Sequence, residues 1–258
     1  MPLNWMDVST LDFNTLLLLE RIQISWLPMF KLPDAEFAAA LRANPVVEWY
    51  LRHKCPEINT WLDQILVQNS KAGVDVRLAE IEVLKGLEDL LVYVHDPAIY
   101  DAQPFLNWDS GELISLVDFH GKIVLDIGAG TGRLTFLAAE AKAVFPVEPV
   151  ANLRLYIKQK AKERSLENIF PADGLITDIP FPDGFADVTM GGHVFGDAPE
   201  AEYQEMLRVT RPGGLIIFCP GNNDADNDRH HFLVSEGFFW GSFEEPRDGM
   251  KRKYWRMV

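Results

Sequence analysis

Ile123-Val-Leu-Asp-Ile-Gly-Ala-Gly-Thr-Gly-Arg133 reads as a buried strand that runs into a glycine-rich turn and opens a helix. Val124 and Leu125 are apolar, as a strand covered on both faces requires. Gly128, Gly130 and Gly132 let the backbone turn tightly and approach a ligand with no Cβ in the way. In open α/β sheets such turns lie at the carboxyl ends of parallel strands, where ligands bind. The stretch therefore predicts a nucleotide-like cofactor at the head of a parallel sheet.

The spacing of the glycines narrows the ligand. A dinucleotide fingerprint runs G-x-G-x-x-G and would place its third glycine at position 133, which is Arg133. Here the spacing is G-x-G-x-G, and Asp126 stands two residues before the first glycine. An acidic side chain there suits an ammonium group better than a pyrophosphate, which wants N–H groups and positive charge. The string V-L-D-I-G-A-G-T-G-R-L closely resembles the first motif of class I S-adenosylmethionine-dependent methyltransferases. Nicotinamide-dependent oxidoreductases and glycine-rich turns that bind nothing are the alternatives at this point.

Composition bounds the partners. With 258 residues, 48% hydrophobic and 24% charged, the chain has the make-up of a globular protein with a sizeable core. Residues 1–110 carry a net charge of −8 and residues 111–258 one of −6, so neither half is basic enough to lie along a phosphate backbone. Nucleic acid and acidic membrane lipid are excluded as expected partners, and a small molecule is favoured. The basic residues between Arg247 and Arg256 alternate along a terminal strand and predict a solvated face. No run reaches the length of a membrane span, Asp7 and Asp12 replace the basic start of a signal peptide, and Cys55 and Cys219 match no zinc spacing. A cytoplasmic protein with reduced thiols is expected.

Residues 1–105 read as an all-helical domain. Pro33-Asp34 starts a helix with Phe37, Ala40 and Leu41 on one face, ended by Asn44-Pro45. Pro56 precedes a second stripe of Ile58, Trp61, Leu62, Ile65 and Leu66, and a third, longer one runs from Leu78 to Val94 before Asp96-Pro97. From residue 106 the pattern becomes short apolar strands alternating with amphipathic helices, the mark of a doubly wound α/β sheet. Strands are predicted at 122–127, 143–148, 168–172, 186–191, 213–219, 237–245 and 250–258, with helices near 131–140, 150–165 and 198–210. Resemblance to the methyltransferase family implies a seven-stranded, mostly parallel sheet of order 3-2-1-4-5-7-6, its seventh strand antiparallel.

Further matches follow in family order over roughly residues 110–258. Glu148 ends the second strand 22 residues beyond Asp126, where a carboxylate can accept from both hydroxyls of a ribose. Pro171-Ala-Asp-Gly174 resembles the family's Gly-Asp-Ala step, which makes Asp173 the candidate for the adenine amine, with Asp178 the alternative. Ile179-Pro-Phe-Pro-Asp-Gly-Phe-Ala-Asp-Val188 and Met206-Leu-Arg-Val-Thr-Arg-Pro-Gly-Gly-Leu215 resemble the family's entries to the fourth and fifth strands and bear on fold alone. The resemblance thus implies S-adenosylmethionine as cofactor, held by Asp126, Gly128, Ala129, Gly130, Gly132, Glu148, Asp173 and Gly174. No metal site is implied.

Methyl transfer from a sulfonium is driven by positioning and desolvation, and needs a general base only when the acceptor must lose a proton. His193, in Met190-Gly-Gly-His-Val-Phe-Gly196 just past the fourth strand, is the candidate base; packing over the cofactor or capping a turn is its equal alternative. The Asn/Asp-Pro-Pro-Tyr of nucleobase and glutamine methylating members is absent there. His230-His231 with Asp226 or Asp228 does not have a metal-site spacing and predicts a solvated helix start. Tyr100 and Trp108 are candidates for a cofactor lid or for packing. The helical domain is the expected selector of a small-molecule acceptor, its tryptophans Trp26, Trp49 and Trp61 lining a pocket or a core. A non-catalytic domain that senses the cofactor or supports a partner is the second functional reading, and the acceptor and oligomeric state are left open.

Overall fold

The structure is a computed structural model that describes residues 6–69 and 75–258. The chain divides into two compact units, Met1–Tyr100 and Asp101–Val258.

The first unit is helical, with Arg21–Trp26, Asp34–Ala43, Pro45–Lys54, Asn59–Gln68, Val76–Gly86 and Glu88–His95 as its longer helices. Their apolar stripes meet in one core that includes Phe13, Leu16, Phe37, Leu41, Leu51, Leu62, Leu84 and Leu91, all essentially inaccessible to solvent. Trp26 and Trp61 pack against this core, whereas Trp49 is exposed and stacks on His53 at 3.9 Å. The expected third helix is two helices, broken at Leu87, whose φ of −115° and ψ of 10° leave the helical region. Gly86, a weak helix former, ends the first of them, and Leu78 at the start of that stripe faces solvent.

The second unit holds a mixed sheet of six strands among the described residues. These are β1 (Ile123–Ile127), β2 (Ala143–Val147), β3 (Ala186–Gly191), β4 (Thr210–Asn223), β5 (Phe239–Glu245) and β6 (Gly249–Met257), in the order β2-β1-β3-β4-β6-β5. β1 to β4 are parallel, and β6 runs antiparallel to both β4 and β5. The seventh strand expected at 168–172 is not continuous. It lies parallel to β2 through two isolated bridges, Val144 to Ile169 and Val147 to Ala172. Pro146 is the physical reason: its carbonyl accepts from Ala172 N–H at 2.8 Å, but its ring nitrogen has no proton to return to the neighbouring segment. The helix predicted over 131–140 is likewise confined to Arg133–Leu137.

Both faces of the sheet are covered. Val124, Val144, Val188, Ile217 and Trp108 belong to one buried layer, and Leu125, Ile127, Met206, Ile216 and Phe218 to the other. Asp187 caps the sheet's lower edge, its Oδ2 accepting the Ile123 N–H at 2.6 Å while Oδ1 pairs with Arg211 at 2.5 Å. The basic stretch 247–256 is not a solvated face. Lys251 and Arg252 are buried, because Asp248 and Glu245 meet the first and Asp224 and Asp226 the second. No helix among the described residues is long and apolar enough to cross a membrane.

Candidate active site

The glycine turn sits at the carboxyl end of β1, where the sheet order reverses between β2 on one side and β3 on the other. Gly128, Gly130 and Gly132 adopt φ of 64°, 56° and 87°, values that side-chain-bearing residues adopt only with strain. The Gly128 and Ala129 N–H groups both donate to the Val147 carbonyl, at 2.8 and 3.2 Å, which clamps the turn to the end of β2. Gly132 N–H donates to the Ala129 carbonyl at 2.8 Å and closes the turn before the helix begins.

Two carboxylates lie behind this turn. Glu148 is buried and accepts the Gly130 N–H on Oε2 at 2.9 Å and the Val150 N–H on Oε1 at 3.0 Å. Burial pushes its pKa up to about 7, against the pull of those two donors. Asp126 is more deeply enclosed, and its Oδ2 accepts the Thr135 hydroxyl at 2.5 Å. Desolvation raises it to about 7 as well. Asp126 thus lies enclosed behind the turn, bonded to Thr135.

Other groups at the turn are conspicuous for what they lack. Thr131 Oγ1 and Arg133 Nε are buried without a hydrogen-bond partner among the described residues. Unsatisfied buried polar atoms are rare, and these two lie together at the glycine turn. Arg133 otherwise donates to the Trp108 carbonyl at 2.7 Å and lies 4.9 Å above the Trp108 ring. Trp108 is buried against Phe243 and belongs to the core, not to a lid. Lys160 reaches the Thr131 carbonyl at 3.1 Å and pairs with Asp101 at 2.7 Å, a contact no sequence motif signalled.

Asp173 lies beyond β2, exposed, and accepts from Arg154 at 3.0 Å. The same guanidinium donates to the Glu148 carbonyl at 2.6 Å, so Arg154 links the second and third predicted contacts. Gly174 has no room for a side chain: a Cβ would come within 2.6 Å of Pro180 Cδ and 2.9 Å of Val147 Cγ1. Asp178 is exposed and joined to Leu175 through the backbone.

His193 follows β3 with a φ of 56°, and its N–H donates to the Pro220 carbonyl at 2.8 Å. Its ring meets Glu245 Oε1 through Nε2 at 2.7 Å. The next residue, Val194, wedges between two glycines: a Cβ on Gly128 would lie 2.5 Å from its Cγ2, and one on Gly191 2.6 Å from its Cγ1. The loop carrying His193 is thereby seated against the glycine turn. A helix does start at Asp228 with His231 exposed, as expected, but His230 is not solvated. It is buried, with Nδ1 3.1 Å from the Tyr254 hydroxyl and its ring edge-on to Trp240. Among the described residues no cluster of metal-ligating side chains is found.

The donor set fits an adenosyl amino acid: desolvated acceptors for a diol and a cation, a glycine cradle, and orphaned donors for an anionic end. Comparison with known proteins agrees. Residues 125–218 match the family described as a methyltransferase domain. The chain is 27% identical over 177 residues to an uncharacterised methyltransferase of Anoxybacillus flavithermus, covering 66% of this chain and 78% of that protein. It is 31% identical over 118 residues to a demethylmenaquinone methyltransferase of a Geobacillus species, spanning 43% of this chain and half of the relative's length. Among solved structures, a SAM-dependent methyltransferase from Aquifex aeolicus superposes with a TM-score of 0.51 at 18% identity, over 63% of this chain and 99% of that one, which bears on the fold.

Proposed function

We propose, on the premise that the chain belongs to the class I S-adenosylmethionine-dependent methyltransferases, that it transfers the methyl group to a small-molecule acceptor. The observation that carries the reading is the glycine turn with Glu148 bonded to its Gly130 N–H and the buried, unpartnered Thr131 Oγ1 beside it. S-adenosylmethionine supplies a methyl group on a positively charged sulfur when bound. Glu148 accepts its ribose hydroxyls, Asp173 its adenine amine, and Gly128, Ala129, Gly130, Gly132 and Gly174 let the backbone approach. Asp126 stabilises the ligand's positive charge from below the turn. His193 stands past β3 as the group that takes a proton from the acceptor.

Electrostatics supports a small acceptor. The net charge of −14 works against a nucleic-acid substrate, whose binding rests on neutralising phosphates. The helical unit, 1–105 in the sequence reading, is the proposed selector of that acceptor. Calorimetric titration tests the proposal. S-adenosylmethionine and S-adenosylhomocysteine should bind with one site, and Glu148→Ala should weaken both at least tenfold, about 1.4 kcal/mol. Binding of NADH in their place, or unchanged affinity in Glu148→Ala, rejects it.

A further inference from the structure

His193 meets a carboxylate that no motif announces. Glu245, at the end of β5, is wholly inaccessible to solvent, while the imidazole keeps 40% of its side-chain surface exposed. The two are 52 residues apart in sequence and 2.7 Å apart in space. The other carboxylate oxygen, Oε2, lies 3.4 Å from Lys251 Nζ. Lys251 in turn is held by Asp248 Oδ2 at 2.6 Å and Asn223 Oδ1 at 2.7 Å. Glu245 on β5, Lys251 on β6 and Asp248 in the turn that joins them thus form a chain of charged groups leading to His193. Phe105 sets its ring edge-on to the imidazole, 6.4 Å between centres. Among the described residues nothing bonds to Nδ1.

With a carboxylate at Glu245, the geometry puts the shared proton on the ring. A lone pair on Nε2 would face a carboxylate oxygen at hydrogen-bond distance, so Nε2 carries the proton and donates it to Glu245. The neutral ring then has its lone pair on Nδ1. We propose that Glu245 is the positioning residue for His193, holding the imidazole as the Nε2–H tautomer so that Nδ1 takes the proton of a hydroxyl-bearing methyl acceptor. The proposal rests on the methyltransferase reading and narrows its acceptor to an O–H acid. The acceptor proton moves to Nδ1, the acceptor oxygen bonds to the methyl carbon, and the carbon–sulfur bond breaks with its electron pair left on sulfur. Glu245 stands against the imidazolium that forms and stabilises its charge. An amine reacting as its free base would have no use for such a pair.

The test is a long-range proton–nitrogen correlation spectrum of the full chain labelled with 15N-histidine, recorded without ligand at alkaline pH, with His193→Gln to assign the signal. Wild-type His193 should be the Nε2–H tautomer. In Glu245→Gln the amide carries one oxygen and one N–H2 group, with the His193 ring at one end. At the other end, across an oxygen position that has no hydrogen-bond partner among the described residues, stands the Lys251 ammonium 3.4 Å away. Lys251 has no lone pair, so the amide turns its N–H2 to His193 and drives the ring proton to Nδ1. Adding Lys251→Met lets that amide turn instead toward Asp248 and Asn223, and the Nε2–H form should return. An Nδ1–H signal in the wild type overturns the proposal, and that spectrum decides even where a variant does not fold. A tautomer unmoved in a folded Glu245→Gln protein overturns it equally. Calorimetry on the same samples keeps the two readings apart: failure of the wild type to bind S-adenosylmethionine rejects the methyltransferase reading, whatever the tautomer.

Discussion

The backbone N–H of Gly130 donates to Glu148 Oε2 at 2.9 Å, so the tip of the glycine turn and the end of β2 share one buried carboxylate. Burial holds that carboxylate near neutrality in acidity. A ligand that needs it ionised must displace its proton. S-adenosylmethionine affinity should therefore rise as the pH is raised through about 7 and level off above, the two desolvated acids Glu148 and Asp126 setting the window. Calorimetry between acid and alkaline pH in buffers of different ionisation enthalpy checks this; proton release that is absent at pH near 6 counts against it.

Asp126 links pH to stability with a definite sign. Its folded pKa is raised from 3.8 to about 7, so between those values the folded chain holds a proton that the unfolded chain has lost. This contribution favours folding fully below pH near 3.8 and is lost as pH rises through about 7. Asp126→Asn keeps an acceptor for Thr135 but removes the titration. Its melting temperature, relative to wild type without ligand, should climb from pH 4 and level off above about pH 7. A difference independent of pH would show that the carboxylate is not desolvated.

Gly128 and Val194 are coupled through space. A methyl group on Gly128 would sit 2.5 Å from Val194 Cγ2, on backbone already at φ 64°. Gly128→Ala should lower the urea midpoint by the equivalent of roughly 1–3 kcal/mol. Adding Val194→Ala should recover part of that loss, the clash being relieved and the backbone strain not. Strict additivity in the double-mutant cycle would show that the two side chains do not meet.

Asp187 provides a test of the fold away from the ligand. Its side chain serves both the first N–H of β1 and Arg211. Asp187→Ala leaves the Ile123 N–H without its acceptor, at a cost of about 1–3 kcal/mol. Denaturant unfolding should show that loss with the S-adenosylmethionine affinity of the folded protein unchanged; an affinity lost with it would tie Asp187 to the cofactor crevice.

The parts legible in the sequence share a feature: the signal and the structure it specifies are local. Ile123–Ile127 is a strand because a short apolar run must be covered, and the turn after it exists because glycines alone reach its φ values. The alternation of strands and helices likewise placed β1 to β6 within a few residues of expectation. What failed was set by partners elsewhere in the chain. The run 168–172 has a strand's pattern, yet the rung it lacks is decided by Pro146 on its neighbour. Lys251 and Arg252 look like a wet surface until the sheet brings Glu245, Asp248, Asp224 and Asp226 against them.

Glu245 marks the boundary most clearly. Its only signal in the sequence is that a period of two puts it on the face shared by Phe243, an apolar face where an acid is out of place. By itself the sequence determined the glycine turn, the parallel sheet beneath it and the nucleoside-like ligand they suit, because each follows from backbone freedom and periodicity within a dozen residues. Tertiary structure alone decided which carboxylate stands behind His193 and which charges are dry, because hydrogen bonding and desolvation depend on distance in space, and 52 residues of chain separate that pair.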